Sequence, residues 1–162
     1  MQDKLDTVED VTSSSAPSSY DEDFVAWTQH QAMVLREGKW DRMDLLNLAE
    51  EVESLGNSVR RELSSRLRIL VVHLLKWCYQ PERRIERHSW ENTINTQRND
   101  IDDLLNDNPS LRPQVQERLT QQYGKARRQA LRETRLAESA FPESCPWTME
   151  QVLDDDFWPD AA

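Results

Sequence analysis

The chain has 162 residues, 37% of them hydrophobic and 31% charged, with a formal net charge of −10. About 140 residues outside a loose N-terminal stretch suffice to bury one core, while three glycines exclude the Gly-rich phosphate loop and the dinucleotide fingerprint in practice. Two cysteines, Cys78 and Cys145, are too few and too far apart for a disulfide framework or a thiolate metal knuckle.

No basic N-terminal region leads into an apolar run, and no window approaches about 18 uncharged apolar residues. Neither a secretory signal nor a membrane span is therefore expected, and the location read from the chain is cytoplasmic. Residues 1–19 hold the Ser13-Ser14-Ser15 run and Pro17 without a helical stripe, the composition of a disordered, acidic, Ser-rich arm. Residues 20–159 remain as a single helical bundle domain. Its strongly apolar segments repeat at three- and four-residue spacing, so the fold class is all-α, an up-down bundle of about five helices with a short C-terminal helix.

The first helix is expected over Asp21–Glu37, ended by Gly38, with Phe24, Trp27, Gln31 and Val34 or Leu35 inward. Asp41 is placed to cap a second helix whose Leu45, Leu48, Ala49, Val52 and Leu55 form an inner stripe as far as Gly56. A turn at Gly56–Asn57 and a cap at Ser58 then start a third helix reaching about Tyr79, with Leu63, Leu67, Leu70, Val71, Leu74, Trp77 and Cys78 facing the core. Pro81 interrupts the pattern. Ser89 caps a fourth helix on Trp90, Ile94, Ile101, Leu104 and Leu105, stopped by Asn108 and Pro109. A fifth, starting near Ser110–Pro113 and running to about Leu136, has a narrow stripe of Val115, Leu119, Tyr123, Ala126 and Ala130. Thr148 and Gln151 have capping-box spacing, predicting one or two turns over Met149–Leu153.

The segments YDEDFVAWTQHQ (20–31), LLNLAEEVESLG (45–56), HLLKWCYQPERR (73–84), SWENTI (89–94), PSLRP (109–113) and FPESCPWTMEQVL (141–153) together resemble the bacterial family known as domain of unknown function 29, over about residues 20–159. The resemblance implies an all-α bundle and no established activity.

Charge alternates along the chain: −6 over residues 21–55, +5 over 60–88, −4 over 91–110, +5 over 111–136 and −7 beyond. Neighbouring helices of opposite sign would meet at their flanks in a bundle. Arg60, Arg61, Arg66 and Arg68, or Arg127, Arg128, Arg132 and Arg135, could instead form a phosphate-binding face, but the acidic balance opposes long-range attraction of a nucleic acid.

The chain lacks a Gly-x-Ser-x-Gly elbow, and no catalytic residue or cofactor is assigned. A carboxylate–histidine metal site is the chemistry a helical bundle supplies most readily. Glu50 and Glu53, three apart on one helix face, and His30 from the preceding helix are the candidate ligands. His73, ten residues up the expected hairpin, reads as a core-edge histidine bonded to an oxygen. The favoured reading is a non-catalytic module that binds another protein or itself. Its candidate face is Ala126, Arg127, Arg128, Ala130 and Arg132, small residues with a charged rim, or else the FPESCPW segment at 141–147. The alternatives are a metal-dependent enzyme and a nucleic-acid accessory factor.

Overall fold

The computed structural model describes residues 19–80, 82 and 84–161. The arm expected over 1–19, apart from Ser19, and the break expected at Pro81 lie outside them. Five α-helices and no strand occur among the described residues: α1 Phe24–Arg36, α2 Leu45–Tyr79, α3 Arg84–Asp107, α4 Val115–Thr134 and α5 Met149–Leu153. The chain divides within α2 into two compact units, the first ending at Ser54 and the second beginning at Leu55.

In the first unit, Asp23 caps α1 by accepting the Ala26 N–H at 2.9 Å. Gly38, at φ +67°, ends it. That left-handed residue lets the Gly38 N–H reach the Leu35 carbonyl at 3.2 Å and the Lys39 N–H reach Val34 at 3.1 Å, the paired bonds of a Schellman stop. Trp27, Gln31 and Val34 are buried along the inner face, as the spacing predicts, while Phe24 stays exposed.

The hairpin expected at Gly56–Asn57 does not form, because the predicted second and third helices are one 35-residue helix, α2. Gly56 keeps a helical backbone rather than a positive φ. An isolated glycine inside a helix costs only about 1 kcal/mol relative to Ala, too little to break a run flanked by good helix formers. Ser58, expected as a cap, lies in mid-helix, as does Ser89 in α3. At the start of α2 the capping role falls to Asp44 rather than Asp41: Asp44 Oδ1 accepts the Asn47 N–H at 3.4 Å, and its carbonyl accepts the Leu48 N–H at 2.9 Å.

The second unit packs around the C-terminal half of α2, where Leu67, Leu70, Val71, Val72, Leu74 and Leu75 have no exposure at all. A helix apolar on nearly every side must be covered on every side. Ile94, Ile101 and Leu105 of α3 cover part of it, and Leu119, Tyr123, Ala126 and Ala130 of α4 belong to the same cluster, with Phe141 and Val152 from the C-terminal segment. Between α3 and α4, Asn108 and Pro109 act as predicted, followed by a 3-10 turn over Pro109–Gln114 that delays α4 to Val115. Helix α4 stops at Arg135, whose φ of 59° puts a non-glycine residue in the left-handed region.

The C-terminal segment carries the expected capping box, with Thr148 Oγ1 accepting the Gln151 N–H and Gln151 Oε1 accepting the Thr148 N–H. What holds it down was invisible in the sequence. Arg98 of α3, only 2% exposed, donates from Nε to the Val152 carbonyl at 3.0 Å and from its terminal nitrogens to Asp155 at 3.4 Å and Phe157 at 2.7 Å. Its guanidinium also lies 5.4 Å from the centre of the Trp158 ring. Trp158 in turn packs on Trp77 with centroids 4.6 Å apart, and the Cys78 thiol donates to the Asp160 carbonyl at 3.0 Å.

Two variants test this description. Gly56→Ala should stabilise the protein by about 0.5–1 kcal/mol, since a helical glycine gains from a methyl group, and the added Cβ would meet only the end of the Arg60 side chain at 3.4 Å. A loss of stability in urea unfolding would instead indicate a turn at that position. Arg98→Ala should cost about 3–5 kcal/mol in the same measurement, because three carbonyls lose a charged donor at a buried position.

Candidate interaction surface

Polar side chains tie α1 to the first turns of α2. The Trp27 indole N–H donates to Asp44 Oδ2 at 3.1 Å, and the Asp44 backbone N–H donates to Gln31 Oε1 at 2.9 Å. Tyr20 donates its hydroxyl to Glu51 Oε1 at 2.6 Å and packs edge-on against Trp27 with centroids 4.9 Å apart. The hydrogen bond from the Asn47 side chain holds the Asp44 carboxyl below the usual range, and that to Glu51 pushes the Tyr20 phenol up.

Residues 44, 47, 48 and 51 are thus the part-buried face of this end of α2. The stripe expected to be core turns out otherwise. Leu45 is 64% exposed, Val52 66% and Leu55 68%, and Leu46 beside them is 82% exposed. Among the described residues, every large hydrophobic side chain left exposed lies between Phe24 and Leu55, including Val25 and Trp40. The segment is helical as its spacing predicts, but most of this stripe faces outward rather than into a core. Tyr20, Trp27, Gln31 and Asp44 make a largely polar and aromatic joint, and the aliphatic stripe is displaced around the helix from it.

The candidate metal ligands are not gathered. Glu50 and Glu53 are exposed, while His30 is half-buried with Nδ1 3.3 Å from Gln31 Nε2. Among the described residues no three His, Cys, Asp or Glu side chains are grouped to hold an ion. In that region Glu51 is engaged by Tyr20 and Asp44 by Trp27 and Asn47, and the hairpin expected to separate Glu50 from His73 does not exist, since both lie on α2. His73 is half-buried and donates from Nδ1 to the Ile69 carbonyl at 2.8 Å.

On α4, part of the expected interaction face is taken up inside the second unit. Ala126 and Ala130 have no exposure, so the close approach they permit is used inside the second unit's own core. Arg127 is held by the Phe141 and Glu138 carbonyls and by the Glu138 carboxylate, at 3.2, 2.7 and 3.2 Å, leaving Arg128 and Arg132 exposed. The FPESCPW segment is docked as well: Phe141 is buried edge-on to Tyr79, and Tyr123 donates its hydroxyl to the Pro142 carbonyl at 2.7 Å. Of the basic residues on α2, Arg66 is neutralised by Glu62 at 2.8 Å and by Asp100.

The protein-family model described as domain of unknown function DUF29 matches residues 19–158. Among solved structures, the chain is similar to an α-helical protein of unknown function from Rhodospirillum rubrum, with 26% identity and a TM-score of 0.56 over 86% of this chain and 92% of that one. No curated protein matches it. No described helix is long and apolar enough to cross a membrane.

Burial lowers the pKa of His73 and so favours its neutral form in the folded state. Its contribution to stability is therefore complete above the unfolded value of about 6.5 and is lost as pH falls from there through the depressed folded value. His73→Asn should flatten the dependence of unfolding free energy on pH just below that value; an unchanged slope would show that His73 is as solvated when folded as when unfolded.

Proposed function

The chain belongs to the DUF29 family, and for it we propose a non-catalytic interaction role in which the exposed apolar face beginning at α1 and the start of α2 pairs with a second copy. The observation that carries this is that, among the described residues, the exposed large hydrophobics all fall between Phe24 and Leu55. A concentration of exposed apolar side chains supports a contact site over a solvated surface.

The spacing of the stripe favours a helix as the occupant. Leu45, Val52 and Leu55 fall on the a and d positions of a heptad seam and are exposed, while Leu48, the intervening d position, is half-buried at the edge of that face. Val52 at a with Leu55 at d is the pairing that favours two strands. Glu50 and Glu53 fall at f and b, away from the seam, Ala49 and Gly56 sit at e, and the carboxylates at g are engaged within the chain, Glu51 by Tyr20 and Asp44 by Trp27 and Asn47. A face of this pattern is its own complement, which is what a two-fold interface requires. Covering one Leu or Val is worth about 1.5–3 kcal/mol at full burial, so several from each copy together offset an association cost of about 4–15 kcal/mol.

Sedimentation equilibrium over a range of concentrations should show a dimer, and the double variant Leu45→Glu, Val52→Glu should sediment as a monomer with its helical circular dichroism unchanged. A wild-type monomer throughout, or a double variant that still dimerises, would overturn the proposal.

A further inference from the structure

Within the second unit, α2 and α4 enclose an open groove of about 500 Å³ whose charge is unlike that of the protein as a whole. Arg60, Arg61 and Arg68 line it from α2, and Arg118 and Lys125 from α4, with only uncharged side chains between them. No carboxylate contributes to the lining, in a chain of net charge −10. Some cations outside the groove are paired with carboxylates: Arg66 has Glu62 and Asp100, Lys76 has Glu133, and Arg127 has Glu138.

Arg118 is oriented but not neutralised. Its terminal nitrogens donate to the Ser64 hydroxyl at 3.0 Å, the Arg60 carbonyl at 3.3 Å and Gln114 Oε1 at 2.8 Å. Among the described residues Arg61, Arg68 and Lys125 have no ion-pair partner. The Nε atoms of Arg68 and Arg118 are shielded from solvent and have no acceptor. An unsatisfied buried donor costs about 1–3 kcal/mol, more when charged, and five like charges along one groove repel one another. An oxyanion seated there would relieve that repulsion.

We propose that this groove binds a compact oligophosphate, two or three linked phosphate groups carried either free or on a nucleotide. Guanidinium forks match phosphate oxygens in pairs, and the Gln121 and Gln122 side chains add uncharged donors. The lining has no aromatic or large apolar side chain, so nothing offers a stacking platform for a base. From Asn57 to Arg68 the α2 wall is roughly 16 Å long at 1.5 Å per residue, enough for a few linked phosphates. A long polyanion would extend beyond it, against the net negative charge of the rest of the chain.

Titration calorimetry of the full chain at low salt tests this with inorganic tripolyphosphate, ATP, orthophosphate and a single-stranded oligonucleotide as probes. Tripolyphosphate should bind saturably, at least about tenfold more tightly than orthophosphate, and the affinity should fall as salt is added. ATP binding more tightly than tripolyphosphate would identify a nucleotide as the source, and the reverse order a free oligophosphate. Arg61→Glu with Lys125→Glu, both exposed positions, should weaken binding at least about tenfold, whereas Arg128→Glu with Arg132→Glu on the same helix should change it less than about threefold. Circular dichroism should confirm that both variants keep their helicity. No saturable binding, equal losses in the two double variants, or binding of the oligonucleotide without tripolyphosphate would each overturn the assignment.

Discussion

A guanidinium taken out of water must find acceptors for its donors, and in the second unit Arg98 finds them in the end of α5 and the main chain that follows it. Burial pulls against its charge, and the carboxylates of Asp155 and Asp154 act in the opposite sense. A regular helix has no spare carbonyls except in its last turn. The five-residue length of α5 is therefore part of the solution: its end offers the Val152 carbonyl, and the irregular chain beyond offers those of Asp155 and Phe157. With that contact in place Trp158 covers Trp77, and the remaining open side of α2 is closed by residues more than 70 positions downstream in sequence.

The contrast along α2 follows from the same requirement. Its C-terminal half is apolar around nearly its whole circumference, and α3, α4 and the C-terminal segment contribute to the cluster that buries it. Its N-terminal half is engaged within the first unit through Asp44, Glu51 and the aromatic side chains of Tyr20 and Trp27, a joint that leaves the aliphatic stripe uncovered. One helix thus carries two kinds of apolar surface, one satisfied inside the chain and one presented outward.

Helical class, the inner face of α1, the end of α3 and the cap of α5 were legible because each depends on residues within a few positions of one another. Gly38 and Gly56 mark where local reading divides. Both look like stops, but only Gly38 adopts the left-handed backbone that closes a helix; Gly56 is carried through by the helix formers on either side. The candidate sites were less legible because they depend on which face meets which. Ala126 and Ala130 have the size for close approach in either setting, and nothing local says that the partner is their own unit's core. Arg98 gives no local signal either, standing among polar residues in a segment that reads as an exposed helix face.

The Cys78 thiol, 6% exposed and donating to the Asp160 carbonyl, lies beneath the segment that carries Trp158 and Asp160. A thiol reagent too large to enter the core reaches it only when that segment lifts, so its modification rate measures how often the C-terminal segment detaches, a local opening that global unfolding experiments average away. Cys145, half-buried and bonded only within its own loop to the Trp147 carbonyl, supplies the reference rate in the same molecule. The two cysteines that serve no disulfide thus make the protein its own reporter of motion at one end.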